Sequence, residues 1–169
     1  MSLFCFRNWE PIPNLILTSD SAKSAGLRII FGNKWCSCPW PEDTPADIHI
    51  AILELIPVIV AAHIWGHRWE RRRIDNAAAV HSVNSGLPKD LHLSYLVRKL
   101  AILATVYSFT YRAEHIPGIH NGSSYALSRG NFSKFRELMP NAELCNTSIP
   151  IEFLRELLWI PASPDFTFQ

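Results

Sequence analysis

The sequence carries almost no net charge, with 16 Lys and Arg against 15 Asp and Glu. A chain so balanced has no global field to attract a polyanion, so any grip on nucleic acid must come from a local basic patch. Paired metal-ligand spacing is also missing. The four cysteines are Cys5, Cys36, Cys38 and Cys145, and Cys36-Ser37-Cys38 has no second half elsewhere, which argues against a zinc site. Residues 1–7 show no basic start leading into a long apolar run, so no secretory signal is expected and an intracellular protein of cytoplasm or nucleus, with reduced thiols, is the reading. The Asn-x-Ser/Thr triplets at Asn121, Asn131 and Asn146 then carry no weight as glycosylation sites. Internal repeats and low-complexity blocks are absent as well.

What is present is apolar mass. With 48% hydrophobic residues over 169 positions, the chain can bury one sizeable core and is too short for two ordinary domains. Asn14–Thr18 and Leu27–Phe31 are apolar runs separated by a small-residue turn, a hairpin signal. Gly32-Asn33 turns into a possible third strand at Lys34–Cys36, which the Pro-rich loop Pro39–Pro45 ends.

The apolar run Ile48–Gly66, followed by Arg71-Arg72-Arg73, has the length of a membrane span, but it contains Glu54, Pro57 and His63. A buried helix is the better reading, capped by Asp47 and kinked by Pro57, and no membrane partner is expected. An Ala-rich helix from Ala77, a helix capped by Asp90, a strand over Ser108–Ala113, a helix over Tyr125–Arg129 and a docking helix over Glu152–Trp159 complete the pattern.

This order puts Asp20 at the end of the first strand, Glu54 on the first long helix and Asp75 at an element boundary. Carboxylates that converge repel one another unless a cation sits among them, and hard oxygen ligands suit Mg²⁺. Two such ions can clamp the attacking and leaving oxygens of a phosphodiester cleavage. Acids at strand and helix ends are also ordinary caps and solvated charges, so spacing alone is weak evidence.

Several collinear stretches add to it: Ser19-Asp20-Ser21-Ala22-Lys23; Lys34-Trp35 with Pro39-Trp40-Pro41; His49–Pro57; Ile64-Trp65-Gly66; Asp75-Asn76; Leu96–Leu100; Ala113–Gly118 with Ala126–Arg129; and Phe135–Pro140. Together, from about Thr18 to Asn141, they resemble the ribonuclease H region of DIRS-type (tyrosine-recombinase) retrotransposon polyproteins. The resemblance implies an α/β (α+β) ribonuclease-H-like fold, a mixed sheet of roughly five strands with helices on both faces, at residues 14–141. Residues 1–13 then form a poorly matched N-terminal segment and 142–169 a C-terminal extension with a short helix. It also implies a nuclease that degrades RNA in RNA–DNA hybrids, with four carboxylates holding two Mg²⁺ ions. Asp20, Glu54 and Asp75 match the first three carboxylates, as catalytic residues and metal ligands.

Two departures mark the chain as a degenerate or domesticated copy. The fourth acid is replaced by Tyr125, a neutral phenol and a poor Mg²⁺ ligand, with Asn121, Ser123 and Ser124 as nearby neutral oxygens. The family's apolar fourth strand is shortened or lost, because Glu70-Arg71-Arg72-Arg73 leads almost directly into Ile74-Asp75. Using His67–Arg73 in its place would bury several unpaired cations, so an unwound helix end or a displaced Asp75 is expected. Arg71, Arg72 and Arg73 are candidate phosphate contacts or a solvated helix end. Asn76 is a candidate hybrid contact or a helix cap, and His115 and His120 are candidates for proton transfer or ordinary surface positions. The alternative function is a catalytically inactive remnant that binds nucleic acid or protein.

Overall fold

The computed structural model describes residues 16–70, 73–76, 90–113 and 122–159, with the side chains of 73–76 and 112–113 left out of the description. Within them the chain is mixed α/β. Strands β1 (Ile16–Ala22), β2 (Gly26–Phe31) and β3 (Lys34–Cys38) form an antiparallel meander. Two strands of four residues each, β4 (Arg73–Asn76) and β5 (Thr110–Ala113), extend it in parallel, giving the order β3-β2-β1-β4-β5. β1 is therefore the central strand. The β1–β2 turn depends on Gly26 at φ 87°, where an added Cβ would stand 2.1 Å from the Cys38 carbonyl oxygen, so both handedness and space require glycine.

One face of the sheet is covered by helix α1 (Ile50–Trp65), which packs Ile52, Leu55, Ile56 and Ile59 with Leu17, Leu27, Ile29 and Phe31. By length and composition Ile50–Arg68 is apolar enough to cross a membrane, yet 67% of its most apolar 18 residues are buried inside the fold, as a helix apolar on all sides must be when it runs through a core. Its N-cap is His49, whose Nδ1 accepts from the Ala51 amide at 3.1 Å; Asp47, expected in that role, lies outside the helix. The helix continues through Pro57.

Helix α2 (Leu91–Val106) starts as expected at Asp90, whose carboxylate accepts from the Leu93 amide at 2.8 Å. It places Leu96 and Leu100 against α1. On the other face, α3 (Gly122–Ser128) and α4 (Phe132–Leu138) bury Ala126, Leu127 and Phe135 over Ile30 and Trp35.

The end of α1 avoids the burial of cations. After Trp65 the chain tightens into a single 3₁₀ turn, Gly66–Arg68, leaving His67, Arg68 and Glu70 exposed while Trp69 turns inward at 1% exposure. Its ring meets Phe31 at 5.4 Å and Phe109 edge-on at 5.0 Å. One aromatic thus does the covering that an apolar strand would, and β4 follows as a short piece. The Ala-rich helix expected from Ala77 falls outside the described residues.

Residues past 141 join the same body. Glu143 donates its amide to the Asn33 carbonyl, Thr147 donates to the Trp35 carbonyl at 3.0 Å, and the Asn146 side chain bonds both main-chain groups of Ser37. These bonds cover the outer edge of β3, which would otherwise stand open to a foreign strand. Asn146 and Asn131, the latter capping α4 through the Lys134 amide, both use their side chains structurally. Helix α5 (Ile151–Leu158) then buries Leu154, Leu157 and Leu158 in the main core.

Two outcomes follow from α5. Leu157→Ala should cost about 2–5 kcal/mol in urea unfolding, as a fully buried leucine; a loss below about 0.5 kcal/mol would mean that α5 is not part of the cooperative unit. His63 stacks on Phe153 of α5 at 4.0 Å between ring centroids, and burial, with Lys99 nearby, holds its pKa below the ordinary value. A base depressed in the folded state contributes stability above its unfolded pKa of about 6.5 and loses it as pH falls through the folded value. Wild type should therefore lose more stability than His63→Leu below about pH 6.5, and parallel pH profiles of the two would refute this.

Candidate carboxylate site

Asp20 and Glu54 come together. A cleft of about 50 Å³ is lined by Ser19, Asp20, Ser21 and Glu54, room for several waters or one ion with part of its hydration shell. Both carboxylate residues are half-buried. What joins their elements is a hydrogen bond next to each: Ser21 Oγ donates to the Leu53 carbonyl at 2.6 Å.

That carbonyl is available for a covalent reason. In an α-helix the acceptor at position 53 is served by the amide of position 57, and position 57 is proline, which has no N–H. Leu53 is fully buried, so its oxygen needs another donor. Ser21 supplies it from the central strand, locking Asp20, one residue earlier on β1, beside Glu54, one residue later on α1. The far end of β1 is held by Trp40, whose indole N–H donates to the Ala22 carbonyl at 3.0 Å. Lys23 donates to the Ala46 carbonyl at 3.3 Å and is occupied there.

Asp75 stands elsewhere along the sheet. On the parallel β1–β4 ladder its backbone pairs with Ile16, and Asn76 with Leu17, so Asp75 lies opposite a point four residues before Asp20. At about 3.3 Å per residue this is an offset of about 13 Å along the strand. The side chains of Arg73, Asp75 and Asn76 lie outside the described residues, as do Arg71, Arg72, His115, His120 and Asn121 altogether. Tyr125 is 58% exposed on α3, with the Arg129 guanidinium 5.3 Å from its ring centroid. Its neighbour Ser124 is the residue that faces inward, fully buried, with a hydroxyl that has no hydrogen-bond partner among the described residues.

Among the described residues no three acids, histidines or cysteines gather into one group. The cleft nevertheless fits a single hard cation: two carboxylates and two hydroxyls are oxygen donors of the kind Mg²⁺ or Mn²⁺ takes, the rest of the octahedron being water. The two thiols of β3 are poor competitors for it. Burial pushes the Cys36 thiol up to about 12 and raises that of Cys38, which disfavours the thiolate that binds metal.

One residue beside the cleft escaped the sequence reading. Arg28 faces Asp20 directly across the β1–β2 ladder, and it appeared in the sequence only as an interruption in an apolar run. The strand pairing that makes it a neighbour of Asp20 is the signal that would have found it.

No protein-family model matches the chain, and neither a curated protein nor a solved structure matches it.

The lock at Leu53 has a signature in stability. Ser21→Ala leaves a buried carbonyl without a donor and should cost about 1–3 kcal/mol. Pro57→Ala restores the native helical donor, so it should recover part of that loss in the Ser21→Ala background, with a coupling of at least about 0.5 kcal/mol in a double-mutant cycle. Strict additivity would show that the two residues do not share the carbonyl.

Proposed function

We propose that this chain is a ribonuclease-H-like domain of retrotransposon origin that hydrolyses the RNA strand of RNA–DNA hybrids slowly, with a divalent cation held by Asp20 and Glu54. The observation that carries the proposal is the meeting of those two carboxylates in one cleft between the central strand and the first helix. Two acids from segments more than thirty residues apart, both matched to the family's ligands, converge where that reading needs them. The strand order β3-β2-β1-β4-β5, antiparallel on one side of β1 and parallel on the other, supports the fold part of the proposal.

The chain's own residues account for the slow rate. Asp20 and Glu54 would hold the ion, with the Ser19 and Ser21 hydroxyls oriented by strand and helix around them. A bound Mg²⁺ would supply Lewis-acid polarisation of a phosphoryl oxygen and a more acidic water. A second ion would need further carboxylates, and the register of Asp75 and the outward set of Tyr125 leave it without them among the described residues. The same two observations favour a second reading, a remnant that binds hybrid or protein and does not cut.

A labelled RNA–DNA hybrid with Mg²⁺ or Mn²⁺ tests both. Slow cleavage by the wild-type chain should fall about 100-fold or more in Glu54→Gln. Tyr125→Asp should bring no gain, since it adds a carboxylate on the solvent side. Hybrid retained with or without metal and never cut would establish the binding remnant instead.

A further inference from the structure

The antiparallel ladder pairs Asp20 with Arg28. Directly opposed residues share a sheet face with Cβ atoms about 5 Å apart, so a guanidinium rises beside one of the two cleft carboxylates. Its direction is fixed: Nε donates to the Leu127 carbonyl in the last turn of α3 at 3.2 Å, and Nη1 donates to the carbonyls of Leu27 at 2.7 Å and Cys38 at 3.4 Å. Main-chain oxygens hold it, and among the described residues no carboxylate lies within ion-pair distance of it. Its charge thus stands in the field of Asp20 with its direction fixed by the main chain. The interaction is felt from the other side too, because Asp20 opposes the drop in Arg28 basicity that burial causes.

We infer that Arg28 is a fixed cation of this cleft and sets how tightly Asp20 and Glu54 hold a divalent ion. The inference rests on the cation-site reading above. A divalent ion entering the cleft meets two carboxylates whose attraction is offset by a positive charge that three carbonyls prevent from swinging away. Arg28 therefore acts as a positioning and tuning residue. The competing account is that Arg28 merely caps the C-terminal turn of α3, where cations are favoured. Capping alone predicts a change in stability and none in ion affinity.

Mn²⁺ titration of the full chain, followed by the electron paramagnetic resonance of free Mn²⁺, separates the two. Arg28→Gln keeps hydrogen-bond donors for the carbonyls and removes the charge; it should bind Mn²⁺ about three- to tenfold more tightly at low salt, with the gain shrinking as salt screens the field. Arg28→Lys, which keeps the charge, should stay within about twofold of wild type by the same reasoning. An unchanged or weaker affinity in Arg28→Gln overturns the inference, as does equal tightening in both variants. Should Arg28→Gln fail to fold, Thr18→Lys adds a cation two residues from Asp20 on the same strand face and should weaken binding; no change overturns the inference. Mn²⁺ binding that Glu54→Gln leaves intact would bring down the cation-site reading itself, whereas a null result confined to the Arg28 variants brings down only the tuning role.

Discussion

The arrangement of the site depends on one hydrogen bond, Ser21 Oγ to the Leu53 carbonyl, and on the missing amide of Pro57 that leaves the carbonyl open. A proline inside a helix ordinarily costs about 3 kcal/mol, because a bond is lost and the ring crowds the preceding turn. In α1 that cost is partly offset by a donor from the central strand. The exchange converts a local defect into a tertiary constraint: helix and strand are tied at the residues adjacent to Glu54 and Asp20. Because Leu53 is fully buried, its carbonyl needs a donor from within the fold, and Ser21 is the one that reaches it.

A second constraint sets where the backbone of Asp75 stands. The segment between α1 and β4 is short and rich in charge, and a central strand position demands apolar side chains on both faces. The chain meets this with one residue. Trp69 fills the space beside Phe31 and Phe109, with an indole N–H that has no hydrogen-bond partner among the described residues, while His67, Arg68 and Glu70 are exposed. β4 then pairs at the beginning of β1 rather than at its acidic end. Packing of the core decides the register, and the register decides where Asp75 can be.

Local chemistry was the part of this fold open to reading in the sequence. The hairpin, the Gly32-Asn33 turn, the Asp90 cap and the final amphipathic helix each rest on residues within a few positions of one another, and the structure places elements there. The helix cap at His49 was missed because Asp47 is the better cap by type, whereas the Pro45 carbonyl draws the Ile48 amide into a turn that delays the helix. Residues past 141 read as an extension because their bonds run to positions more than a hundred residues away, as between Asn146 and Ser37. No window of sequence contains both partners. The pairing of Asp20 with Glu54 was legible only through family resemblance, and the Arg28 guanidinium beside them through nothing before strand register was known.

The charge balance of the cleft turns on the pairing of Asp20 with Arg28. Two like charges about 5 Å apart repel by about 3 kcal/mol at an effective dielectric constant of about 20, so carboxylates that converge are relieved by a cation nearby. With two carboxylates in the cleft and a guanidinium rooted beside them, the compensation is partly built into the chain. On the proposed reading, the guanidinium that relieves the repulsion also weakens the hold of the two carboxylates on a cation. On that reading, relief of the carboxylate repulsion and affinity for a cation are set against each other at one pair of strand neighbours, Asp20 and Arg28.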